Sequence, residues 1–140
     1  MSYALAGGLQ AAVYQQLATD AGLAALIGDA VFDALPTGPL PETYVSIGEE
    51  GMHDRSDVSG AGAEHRFTVA VVSEAPGFAM AKDVAALIGD ALLNGDMALS
   101  EGRLVGLWLD RATARRTGSA GRVRRIDLRF RARVEDNRAL

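Results

Sequence analysis

The chain has 140 residues and no cysteine. That absence excludes a disulfide framework, a thiol nucleophile and any zinc–thiolate centre. No apolar run approaches the roughly 20 residues needed to cross a bilayer. The first ten residues, MSYALAGGLQ, carry no basic stretch ahead of their apolar ones. The expectation is therefore no membrane span, no secretory signal and synthesis inside a cell. Proline is scarce, and three of the four fall within residues 35–42, LPTGPLPE, which fixes that segment as an extended connector. The motifs of common enzymes are missing too: no phosphate loop, G-x-S-x-G elbow, H-E-x-x-H pair or dinucleotide glycine fingerprint. The glycine clusters at 60–62 (GAG) and 118–121 (GSAG) lie outside the strand-to-helix context such motifs need and read as turns. Neither an enzymatic activity nor a cofactor is expected.

What is present is an arginine-bearing strand. From Arg122 to Val134, apolar residues take alternate positions (Ile126, Leu128, Phe130, Ala132 and Val134), and Arg125, Asp127, Arg129, Arg131 and Arg133 stand between them. This period of two gives one face fit for a core and another carrying four guanidinium groups. Residues 101–140 hold eleven Arg against five acids, net +6, whereas residues 1–100 hold three Lys or Arg against thirteen acids, net −10. The two sum to the chain's formal charge of −4. So sharp a separation supplies two unlike surfaces, for copies of the chain or for a partner.

Size and a composition of 49% apolar and 23% charged residues predict one soluble domain over 1–140. Leu5, Leu9, Val13 and Leu17, four apart, predict a docking helix over 4–18. Asp20 stands as the N-cap of a short second helix stopped by Gly28. A strand is expected at 43–48, a polar loop at 49–63, and a second strand at 65–73 with Phe67, Val69 and Val71 on one face. A long helix follows, with Ala81, Val84, Ile88 and Leu92 on its stripe and Asn94–Gly95 at its end. A third strand at 104–110 is expected to turn Val105, Leu107 and Leu109 inward and Leu104 and Trp108 outward; the turn near Gly118 and Gly121 then leads antiparallel into the arginine strand. The fold class is α+β, a four-stranded, mainly antiparallel sheet with two helices on one face plus a short helix.

The candidate functional residues are few. His53, Asp54, Asp57, Glu64 and His65 are types that hold cations, but their spacing fits no ligand pattern, and no metal site is assigned. Three readings of Arg125, Arg129, Arg131 and Arg133 are open: a solvated sheet face, a phosphate-tracking stripe, or an interface in a multi-subunit assembly. The acidic balance and the lack of interleaved aromatics weigh against nucleic acid. Trp108, expected beside the arginines, has the character of an interface anchor.

One resemblance covers nearly the whole chain. Leu9-Gln10, Tyr14, Leu17 and Asp20, then Val31-Phe32-Asp33, Pro41, Tyr44-Val45 and Ile47-Gly48, a polar loop, a strand ending in Ser73, and a helix with Ala81, Lys82 and Ile88 resemble the small tail-completion proteins of long-tailed bacteriophages and gene transfer agents. The resemblance implies a tail terminator, a structural virion protein made in the bacterial cytoplasm. It implies a hexameric ring that caps the tail tube, stops its polymerisation and meets head-tail connector or neck proteins, with DNA passing through unspecifically. Arg125, Arg129, Arg131, Arg133, Trp108, His53, Asp54 and Asp57 are the interface residues expected on this reading. A neck or head-completion protein and a nucleic-acid-binding module are the alternatives.

Overall fold

The computed structural model describes residues 3–54 and 61–136. Helix α1 spans Ala6–Ala18 and buries Leu9, Val13 and Leu17, the residues its period selects. Helix α2, Ala21–Ile27, starts where the Asp20 carboxylate accepts a hydrogen bond from the Leu23 amide at 2.9 Å. It ends at Gly28, whose φ of 63° suits glycine better than any residue with a Cβ. Helix α3, Ala79–Leu93, buries Ala81, Val84, Ile88, Ala91 and Leu92. The Gln16 side chain ties α1 to α3 by donating to the Ala91 carbonyl at 3.0 Å.

Five strands form one sheet, not four. They are β1 (Val31–Phe32), β2 (Thr43–Asp54), β3 (Ala61–Ser73), β4 (Arg103–Thr117) and β5 (Val123–Asp136), in the order β1-β2-β3-β5-β4. The added strand β1 is two residues long and runs parallel to β2 at Val45 and Ser46; every other pairing is antiparallel. Two residues flanked by Asp29 and Asp33 carry too little pattern to announce a strand.

The sheet is also longer than expected. Residues 49–54 and 61–63, read as part of a polar loop, continue β2 and β3 as a hairpin, with Met52 level with His65 and Asp54 level with Ala63. A bulge between Gly48 and Glu50 leaves Glu49 at φ 40°. That extra residue interrupts the alternation and hides the strand from a period-two reading. Likewise β4 runs on from Asp110 to Thr117, and the turn at Ser119–Gly121 leads into β5 as expected.

One face of the sheet, here the inner face, is closed by α1 and α3. Its core joins Val45 and Ile47 of β2, Phe67, Val69 and Val71 of β3, and Ile126, Leu128, Phe130, Ala132 and Val134 of β5 to the buried stripes of the helices. Phe67 and Phe130 stack with ring centroids 5.4 Å apart. Each such large side chain, fully buried, contributes roughly 1.5–3 kcal/mol.

Candidate functional site

The opposite, outer face carries the arginines, because the period of two in β5 sends every second residue there. Arg125, Arg129, Arg131 and Arg133 lie level with Val72, Thr68, Arg66 and Glu64 of β3. On the other flank they lie level with Arg115, Arg111, Trp108 and Gly106 of β4. Two adjoining grooves cross this face. One, of about 430 Å³, is lined by Glu49, Arg66, Asp110 and Arg129 among others; the next, of about 270 Å³, by Arg111, Arg115, Arg125 and Asp127.

These arginines are not one uniform charged stripe. Arg131 lies over the Trp108 ring, its guanidinium carbon 4.8 Å from the centroid, and donates to the nearly buried Glu64 carboxylate at 3.3 Å. The Trp108 ring in turn covers Gly106, where an added Cβ would collide with it. The Arg133 guanidinium takes the corresponding seat over Gly62. Arg125 donates to Asp127 at 3.0 Å, and Arg115 approaches the same carboxylate at 3.5 Å. Arg129 is exposed. Carboxylates of the chain itself thus answer part of the positive charge, which suits protein contacts better than a continuous track of phosphates.

Trp108 stands on the outer face as expected, but the assignment of its neighbours needs correcting. A bulge between Leu104 and Gly106 shifts the alternation of β4. Leu104, expected outward, lies level with Val134 and packs against the core together with Leu107. Val105, expected inward, is the bulged residue and is 47% exposed. Leu109 does share the inner side with Phe130, yet it is 43% exposed.

The loop constellation is divided by the sheet. His53 lies level with Glu64, whereas His65, the next residue of β3, points inward and is fully buried. Its Nδ1 stands 3.9 Å from the Glu50 carboxylate, and burial lowers its pKa below the usual 6.5 although Glu50 opposes the shift. No three His, Asp or Glu residues gather as a metal centre among the described residues. Asp57 and the side chain of Asp54 lie outside the described residues. The inner partner Glu50 and the seats Gly62 and Gly106 escaped the sequence reading, since only the strand register brings them to the residues they serve.

Comparison with known proteins identifies the family. No curated protein matches the chain. A solved structure described as the virion of a native gene transfer agent particle contains a similar chain, with 61% identity and a TM-score of 0.90 over 96% of this chain and 99% of that one. The model of the family "Tail completion protein gp17" matches residues 11–135. A family match over most of the chain decides the class of protein: the chain belongs to the tail completion protein gp17 family, and is a structural virion protein and not an enzyme.

Proposed function

We propose that the protein acts as one domain that terminates a tail: copies form a hexameric ring on the last ring of the tail tube, stop its growth and present a docking surface to the connector or neck. The observation that carries this reading is the 61% identity, over nearly the full length of both chains, to a chain of a gene transfer agent virion. The outer face has the character of a contact surface. Trp108 on Arg131, with exposed Arg129 and the flanking Arg125 and Arg133, forms a face with the aromatic and arginine character of an interface, opposite a helix layer bearing Asp20, Asp83, Asp90 and Asp96. His53 borders it at the β2–β3 end. DNA passes through the ring without specific contact.

Mixing the purified protein with its tube protein and imaging the products tests the reading. Rings should cap tube ends and tubes should stop at a uniform length, while the protein alone stays monomeric until the tube supplies a template. Tubes that grow equally long with and without the protein, or a single copy per tube end, would refute it. Binding to capsid portals in the absence of tails would favour the neck reading instead.

A further inference from the structure

The two edges of the sheet are unlike and open. At one edge β1 stops after Phe32, so among the described residues no strand lies beside β2 from Ile47 onward. At the other lies β4, fifteen residues with no proline, bonded to β5 alone. Natural edges of such length are normally blunted by proline, by charge or by brevity. This edge carries Arg103, Asp110, Arg111, Arg115 and Arg116 and two bulges, yet between its charged ends it displays Val105, Trp108 and Leu109, three of the large apolar side chains left exposed.

We propose that β4 of one copy adds to the open edge of β2 in the next, so that the ring closes as one continuous sheet, with residues 104–111 of the first running along 47–53 of the second. The proposal rests on the ring reading above and names the contact that closes it. Strand direction permits it. Across β2-β3-β5-β4 each neighbour is antiparallel, so β4 runs opposite to β2, and a copy placed head-to-tail meets it antiparallel without inversion. Position permits it as well. Leu109, Phe130, Phe67 and Glu50 share one row of the sheet, which sets the incoming Leu109 level with Glu50.

Beside Glu50, on the inner side, is a surface recess of about 390 Å³ with an apolar floor of Tyr3, Ala6, Gly7 and Ala11 that can take a leucine, and a polar rim of Gln10 and Asp33. Charge is complementary beside the contact: Glu49 and Glu50 line the receiving edge and Arg111 follows the incoming Leu109 by two residues, against one like charge, Asp110, while Arg103 is held by Glu135 of its own chain. The regular run of β4 between its two bulges covers only residues 106–109. So short a pairing is too weak to hold two free copies together and strong enough when a tube end aligns them.

The chain has no native cysteine, so introduced thiols report one contact cleanly. Leu109→Cys combined with Glu50→Cys, and in parallel with Met52→Cys, is to be assembled on tubes and oxidised. Cross-strand disulfides need Cα atoms about 4.4–6.8 Å apart. The expected result is a covalent ladder up to the full ring from one of the double variants and none from any single variant. Dimers from Leu109→Cys alone would mean that β4 pairs with itself. Capped tubes in micrographs with no ladder would overturn the strand contact and leave the ring standing; absence of rings would overturn both. Amide exchange of the unmodified protein guards against a variant that misfolds: 104–111 and 47–53 should gain protection together on tubes, and protection of neither or only one refutes the pairing.

Discussion

Strands β4 and β5 lie side by side over most of their length and behave as opposites. β5 has a strand on each flank and helices over its inner face, and its alternation from Ile126 to Val134 is unbroken. β4 has one flank, little cover and two bulges; its apolar residues are spent on the edge as much as on the core. On the proposed ring reading, the difference separates folding from assembly. What β5 buries holds the monomer together, and what β4 exposes is free to hold copies together.

The largest effect should come from breaking this contrast within one row. Phe130, fully buried and stacked on Phe67, and Leu109, level with it on β4, should respond very differently to truncation. Phe130→Ala is expected to cost about 3–5 kcal/mol, whereas Leu109→Ala should cost about 0.5 kcal/mol in the monomer and yet impair capping. Urea melts paired with micrographs of tubes measure both. Equal destabilisation by the two would erase the division of labour.

A middle-sized effect tests the outer face. Arg131→Gln removes the guanidinium that packs on Trp108 and that, together with Arg66, answers the nearly buried Glu64, and should cost about 1–3 kcal/mol of stability. Arg129→Gln, on the same strand but exposed, should stay within about 0.5 kcal/mol. Any loss of capping in the Arg129 variant therefore reports a contact and not a weakened fold. Normal capping by that variant would return Arg129 to a solvated role. A smaller change is Gly106→Ala, whose Cβ displaces the Trp108 ring from its seat. The ring is half-exposed and has room to swing, so about 1 kcal/mol is expected. As the chain has one tryptophan, a shift in its emission follows the displacement directly.

The same contrast accounts for what could be read beforehand. β5, α1 and α3 were legible because burial on one face enforces an unbroken period, and the Asp20 cap because a local hydrogen bond requires it. Bulges at Gly48/Glu50 and Leu104/Gly106 break the period in β2 and β4, so a period-two reading ends β2 at Gly48 and exchanges the sides of Leu104 and Val105. β1 depends on Val31 and Phe32 pairing with distant Val45 and Ser46, a tertiary event with no local mark. Of the candidate site, Trp108 beside the arginines followed from alternation, since Trp108 lies beyond the bulge that shifts Leu104 and Val105. The pairing of Arg131 with Glu64 did not, because register across strands is not written within either one.

The smallest effect at neutral pH concerns His65, which joins the two strands' rows to β3. Its imidazole is fully buried level with Ala132 of β5, and neither ring nitrogen has a hydrogen-bond partner among the described residues. The groups facing it are the Glu50 carboxylate, 3.9 Å from Nδ1, and the Tyr3 ring, with centroids 6.4 Å apart. Burial lowers its pKa beneath the ordinary 6.5, so below that pH the unfolded chain binds the proton more readily than the folded one. Stability is therefore unaffected above about pH 6.5 and falls as pH drops from there to the lowered folded value. A single proton limits this slope to about 1.4 kcal/mol per pH unit. His65→Leu should flatten the decline in that window without altering the exposed face of β4. Thermal melts of both proteins between pH 5 and 7, in the range where histidine titrates, decide it: parallel curves would mean that the folded protein protonates His65 as easily as the unfolded chain does.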